Sequence, residues 1–336
     1  MEPSKKIFFD WDKLQSYDSA MLFFILAGRG VGKTFGAITA VVKDFLKNGN
    51  QFIYVRRYKS ELKTCVPNFF SQHVYHNIFP NHHLEVKNGK FFIDGQLAGY
   101  SIALSTSKIL KSTGFPLVRT IIFDEFTITE GIYHYLAQEV DDMLDLIESV
   151  FRMRDNGRVW FLGNSTTAYN PYFNYFDLST PYSGEFKLYK DGLILVCRAE
   201  NEAYAEEKLK TRFGRITAGT KWGNYAVHNK YLQDSSQFVH KRPPQAQFFF
   251  NLHLDGNVFG VWFDDDAYWY ISNDHDPDSK ANFAFTARDH TETTMLRSRV
   301  DPIIKNLIER FREAHLVFED AQIKGCVETN LLKYAN

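Results

Sequence analysis

The chain has 336 residues, with 39 Lys and Arg against 40 Asp and Glu, a formal net charge of −1. That length suits about two domains, and the near-balance excludes a global basic field that would by itself announce nucleic acid. Three scattered cysteines, Cys65, Cys197 and Cys326, exclude a disulfide framework or a cysteine metal site and read as free thiols.

In chain order, "MLFFILA" (21–27) reads as a buried strand, too short to span a membrane, and no targeting segment or membrane association is expected. "TFGAITAVVKDFLKNG" (34–49) reads as a helix ending on Gly49, and "QFIYVRR" (51–57) as a second strand. "KFFIDGQLAGYSIAL" (90–104) suggests a hairpin followed by a strand, and "RTIIFDEF" (119–126) a continuous apolar strand ending in acids. In 138–154, Val140, Leu144, Ile147 and Phe151 recur at helical spacing, and "RVWFLGN" (158–164) is another buried strand. Continuous apolar strands alternating with helices predict an α/β fold, a parallel sheet covered on both faces.

From 198 to 234 the sequence turns charged and helical, as a small connecting module would. A third region, 235–336, opens on a meander: "QFFFNLHL", "NVFGVWF" and "AYWYIS", with turns at Asp255-Gly256 and Asp264–Asp266. A helix (about 302–314), the strand "HLVFED" and a final helix follow. The expected divisions are therefore 1–197, 198–234 and 235–336. Residues 1–164 carry 19 basic and 17 acidic residues, whereas 235–336 carry 11 and 15, so local basic clusters for DNA are sought in the first part.

The decisive string is "AGRGVGKT" (27–34): Ala27, Gly28, Arg29, Gly30, Val31, Gly32, Lys33 and Thr34. It matches the phosphate-loop pattern G-x-x-x-x-G-K-[ST] except for Ala27 in the first slot, and it lies between an apolar strand and a helix. Its backbone amides and the helix N-terminus suit phosphate oxygens. Lys33 is expected to reach the β- and γ-phosphates of ATP, and Thr34 to ligate Mg²⁺.

A magnesium triphosphate also needs a carboxylate at a neighbouring strand tip, and Asp124 fits that requirement. Glu125 follows it, where a general base would polarise water. Asn164 ends the next strand and could sense the γ-phosphate, although Asn also ends strands for turn reasons. Arg152 and Arg154 close the amphipathic helix, where they could serve the helix dipole, a neighbour's ATP, or both. Arg29, inside the loop, is the competing finger candidate, acting in its own subunit. "VRRYKSELK" offers Arg56, Arg57, Lys59 and Lys63 as phosphate-facing cations for duplex DNA, against the alternative of a solvated turn. Lys108 and Lys111 form a weaker second patch.

Taken together, "AGRGVGKT", "QFIYVRRYKSEL", "FFIDGQLAGY", "IIFDEF", "VFRMR", "LGNS…NPYF" and "KTRFGR" resemble the DNA-packaging ATPases of small podoviruses, of the Bacillus-phage type. The similarity runs through most of residues 7–272 and thins afterwards. The resemblance implies a RecA-like, additional-strand ATPase domain, a helical linker and a C-terminal RNase-H-like, degenerate nuclease domain. It implies a pentameric ring in the host cytoplasm, attached transiently to the prohead portal vertex, with or without a packaging RNA between, driving double-stranded DNA inward. By motif it places Lys33, Thr34, Asp124 and Glu125 in the ATPase roles and Arg152 as the trans finger.

Two alternatives stay open at this point: a terminase large subunit with an active nuclease, and a scaffold switched by nucleotide. Glu125 argues against the scaffold, which needs no water activator. Against the nuclease, "QFFFNLHL" carries no acid, and only Asp264–Asp266, Glu319 and Asp320 offer metal ligands. The basic pieces His240–Arg242, Arg288, Arg297 and Arg299 are the one route by which this acidic region could grip DNA.

Overall fold

The computed structural model describes residues 8–28, 30–110, 113–128, 135–136, 138–164, 170–178, 186–199, 202–218, 220, 238–265, 268–298, 300–313 and 315–331. The chain divides into two compact units, Met1–Thr166 with Tyr175–Lys230, and Thr167–Asn174 with Tyr231–Asn336. The helices are α1 (Trp11–Gln15), α2 (Lys33–Asn48), α3 (Lys59–Cys65), α4 (Ser71–Tyr75), α5 (Glu139–Phe151), α6 (Pro171–Phe176), α7 (Glu202–Lys210), α8 (Arg212–Thr217), α9 (Pro302–Arg312) and α10 (Ala321–Asn330). None of the described helices is long and apolar enough to cross a membrane.

The first unit is built on a nine-stranded sheet. Its order is β3 (Leu84–Lys87), β4 (Lys90–Ile93), β5 (Gln96–Ala103), β2 (Gln51–Arg56), β6 (Val118–Asp124), β7 (Arg158–Asn164), β1 (Leu22–Ala27), β9 (Ile194–Arg198) and β8 (Phe186–Tyr189). The six strands from β5 to β9 pair in parallel, as the apolar runs predict. The edges are antiparallel: β4–β5 is the hairpin expected in 90–104, whereas the β3–β4 and β8–β9 pairs were not anticipated, so the sheet is mixed. Antiparallel edges need only short turns, here through Gly89, Gly95 and Gly192 at positive φ.

Every residue of β1 is buried, and the period of two splits it between faces. Phe23 and Ile25 join the core under α2, which contributes Ala37, Ile38, Val41 and Val42. Phe24 stacks on Phe161 at 4.4 Å on the opposite face, beside Phe126. Burying each such side chain contributes about 1.5–3 kcal/mol before entropy is set against it. Helix α5 buries Val140, Met143, Leu146, Ile147, Val150 and Phe151. Of the four positions expected to face the core, Leu144 is only half-buried. The first unit also takes in α7 and α8, from the region expected to form a connecting module. Cys197, on β9, is buried, and burial pushes its thiol up to about 12.

The second unit carries a six-stranded sheet: β14 (Met295–Leu296), β13 (Asn282–Ala284), β10 (Gln247–Leu254), β11 (Asn257–Phe263), β12 (Trp269–Ser272) and β15 (Leu316–Phe318). The β10–β11–β12 meander is antiparallel as expected. Two short parallel strands, β13 and β14, stand in a stretch to which the sequence pattern assigned no element. Asp301 and Asp320 cap α9 and α10, which bury Ile304, Leu307, Ile323 and Val327.

Candidate nucleotide site

In a parallel sheet the C-terminal strand tips converge, and that is where the chemistry-bearing residues gather. β7 lies between β1 and β6, so one additional strand separates the phosphate loop from the acids. Ala27 ends β1 directly opposite Asn164, the end of β7. Gly30 and Gly32 take φ of +84° and +86°, which bend the loop into the N-terminus of α2.

Lys33 turns back over this loop, donating to the carbonyls of Ala27 (2.8 Å) and Gly28 (2.7 Å) and to Asn164 Oδ1 (3.2 Å). Val31 is buried beside Ala27. Thr34 Oγ1 donates to both oxygens of Asp124 at 3.2 Å. The loop, Asp124 and Asn164 therefore form one cluster. Arg29 and Lys111 lie outside the described residues.

Asp124 is 7% exposed, and desolvation raises its pKa above the ordinary carboxylate value against the pull of Arg56. Tyr54 Oη donates to Asp124 Oδ2 at 2.9 Å, and burial beside this acid raises the phenol's pKa further. A hard divalent cation suits the Thr34 hydroxyl and the Asp124 carboxylate, because Mg²⁺ is commonly held by one or two carboxylates plus substrate phosphates.

Glu125 takes the left-handed φ of +56°, strained for a non-glycine residue. Three bonds hold it there: its amide donates to Asp124 Oδ1, its carbonyl accepts from Arg57, and Phe126 N donates to the Leu162 carbonyl. The twist aims its carboxylate outward, 58% exposed, with Arg56 Nη2 at 2.6 Å. Arg56 also pairs with Glu61 (3.0 Å) and lies 3.7 Å from Asp124. Burial opposes its charge, but Tyr54, Asp124, Glu125 and Glu61 together hold its pKa above the ordinary arginine value.

This overturns one expectation. Arg56 and Arg57 are 9% and 3% exposed, so they are interior cations rather than a DNA-facing patch. Arg57 makes a bidentate pair with Glu139, at 2.6 and 2.7 Å, and donates to the Phe126 carbonyl at 2.7 Å. It staples the start of α5 to the acidic strand tip. Breaking a buried pair from one side costs about 3–5 kcal/mol. Arg57→Ala should therefore lower the unfolding free energy of the first unit by that amount, read as a lowered denaturant midpoint. A midpoint equal to wild type, with weakened DNA binding, would return Arg57 to the surface role. Lys59 and Lys63 do remain exposed on α3, and Lys108 pairs with Asp142 at 2.8 Å.

The two arginines after α5 part company. Arg154 donates to the carbonyls of Phe115, Pro116, Val118 and Val150, so its guanidinium is committed to the fold. Arg152 is exposed at φ +50°, ψ −118°, on a turn that also projects Met153, 95% exposed.

The model of the podovirus DNA encapsidation protein (Gp16) family matches residues 3–335. The DNA packaging protein of Bacillus phage B103 is 39% identical over 308 residues, covering 91% of this chain and 94% of that protein. A solved structure of the bacteriophage Phi-29 viral genome packaging motor assembly superposes with a TM-score of 0.76 at 35% identity, covering 98% of this chain and all of that one. The crystal structure of the N-terminal domain of the DNA packaging ATPase from bacteriophage phi29 matches at 39% identity and a TM-score of 0.53, covering 58% of this chain and 97% of that one.

Proposed function

We propose, since this chain belongs to the podovirus DNA encapsidation family, that it is the ATPase of a genome-packaging motor, hydrolysing ATP to drive double-stranded DNA into a viral prohead. The observation that carries the catalytic reading is the Thr34–Asp124 hydrogen bond, which joins the phosphate loop to the acidic tip with Glu125 beside it.

Lys33 and the loop amides bind the β- and γ-phosphates, and Asn164 faces the γ-phosphate. Thr34 and Asp124 would hold Mg²⁺, whose charge neutralises the oxygens of the transferring phosphoryl group. Glu125 accepts a proton from the attacking water. Arg56 holds one of its two carboxylate oxygens, Oε2, at 2.6 Å and so orients the side chain. Arg152 reaches a neighbour's ATP in a homo-oligomeric ring, taken as a pentamer, that docks on the portal vertex, directly or through a packaging RNA. Lys59 and Lys63 remain the cations offered to DNA. ATP turnover measured with and without duplex DNA on purified proheads tests the whole reading; turnover indifferent to both would leave only a nucleotide switch.

The second unit reads as a nuclease-like fold without a nuclease. Its central order β12–β11–β10–β13–β14, with β13 and β14 parallel to β10, supports the ribonuclease-H-like assignment. Three of its candidate acids are engaged in the fold, Asp265 is exposed, and Asp266 lies outside the described residues. Asp264 accepts from Tyr268 N and Tyr270 Oη, Glu319 from Asn273 N, and Asp320 caps α10. Asn251, on the first strand, is buried and hydrogen-bonded to Asn282 and the Asp276 carbonyl. Among the described residues no cluster of three or more metal-ligating side chains occurs. The full-length protein is expected to leave plasmid DNA uncut in Mn²⁺. Cleavage abolished by Asp320→Ala would instead favour the terminase.

A further inference from the structure

Two aromatic side chains that the hydrolysis chemistry does not use lie against the phosphate loop. Tyr204 projects from α7, and its hydroxyl occupies the space a side chain at Gly30 would need: a Cβ there would stand 2.1 Å from Tyr204 Oη. Phe8 lies against the other left-handed glycine, with side-chain atoms 3.4–3.8 Å from where a Cβ on Gly32 would be. The backbone fixes this approach, because the adjacent Phe9 N donates to the Val31 carbonyl at 2.9 Å. Phe9 and Tyr204 also pack on Ala27, Val31 and Ala199.

The loop amides and Lys33 account for the triphosphate, but not for the rest of a nucleotide. The ribose and base must leave the loop, and the planar, apolar face of a base needs an aromatic or aliphatic surface. Phe8 offers one: it lies against the loop at Gly32 and is still 61% exposed, so one side of its ring is open. The Phe8 and Tyr204 rings stand 6.5 Å apart at 50°. A planar ring stacked between two others needs about 7 Å, twice the ~3.5 Å carbon–carbon separation. A small opening and rotation would admit one.

We propose that Phe8 and Tyr204 form the subsite for the purine base of the bound nucleotide, bridging the amino-terminal segment and α7. This rests on the reading of the site as an ATPase. The bound base would thereby register occupancy of the loop in α7, outside the strand-tip cluster.

The test compares ATP with inorganic tripolyphosphate, both as magnesium complexes, titrated calorimetrically into the full chain. Wild type should bind ATP more tightly. Phe8→Ala and Tyr204→Ala should each weaken ATP by about tenfold, the effect typical of a lost base-stacking aromatic, and leave tripolyphosphate unchanged. Tyr204→Phe keeps the ring and should keep ATP affinity, which separates base contact from a folding defect. Equal losses for both ligands would make the pair a support for the loop and overturn the subsite, as would unchanged ATP affinity in both alanine variants. Wild type that binds the two ligands equally would overturn the subsite alone; wild type that binds neither would overturn the ATPase reading with it.

Discussion

Glu125→Gln is expected to bind ATP about as well as wild type and to lose about 10²–10⁴-fold in hydrolysis, the range of a missing general base. The amide preserves the size of the side chain and the strained backbone, whose N–H and carbonyl are held by the Asp124 and Arg57 side chains rather than by Glu125's own carboxylate. What it removes is the proposed acceptor for the proton of the attacking water. Arg56 loses one partner but keeps Glu61 at 3.0 Å, so the cluster should stay folded. Lys33→Ala should fail earlier, at binding, if its ammonium group serves the phosphates as proposed. Calorimetric ATP affinity and single-turnover phosphate release distinguish the two variants. Turnover near wild type in Glu125→Gln would remove this residue from the base role.

What the sequence made legible was whatever local chemistry dictates. Gly30 and Gly32 need positive φ, an apolar strand must precede them, and a helix must follow, so the loop could be read before any fold was known. The β6 tip was legible because a buried strand that ends in two acids has few other uses. Arg56 and Arg57 were misread because a charge run looks the same whether solvent or another strand faces it. Register was the missing information. β2 and β6 run parallel with Tyr54 opposite Ile122 and Val55 opposite Phe123. Continuing one and two residues further sets Arg56 beside Asp124 and Arg57 beside Glu125. Two arginines leaving a buried strand whose parallel neighbour ends in Asp-Glu are a signal that could have been used.

The remaining gaps have similar causes. β8 is four residues long and mostly solvated, so neither length nor alternation marks it, although "LILVC" beside it is apolar throughout. β13 and β14 are shorter still, and they exist because the meander edge at β10 supplies a ready ladder. Tyr204 and Glu139 act through contacts 174 and 82 residues away in sequence, from Gly30 and Arg57, and no local pattern encodes such distances.

Arg152→Ala should retain ATP binding and lose about 10³–10⁵-fold in turnover in the assembled motor, the effect of a missing arginine finger. The structure separates it from its neighbour: Arg154 spends its guanidinium on four carbonyls, whereas Arg152 is exposed at a left-handed turn. Arg152 caps α5, where its charge favours the helix dipole, and its exposure leaves the guanidinium available to the next subunit of a head-to-tail ring. Subunit mixing makes this decisive. Under this proposal, each active interface of a ring combines one subunit's Glu125 with its neighbour's Arg152. Mixing Arg152→Ala with Glu125→Gln leaves about one interface in four whole, so activity should reappear from two inactive proteins. Arg29→Ala mixed with Glu125→Gln should stay inactive if Arg29 serves its own subunit's site, because every site then lacks one of the two groups. Equal behaviour of the two arginine variants, either both rescued or both inactive, would sink the assignment of Arg152 to a neighbour's ATP.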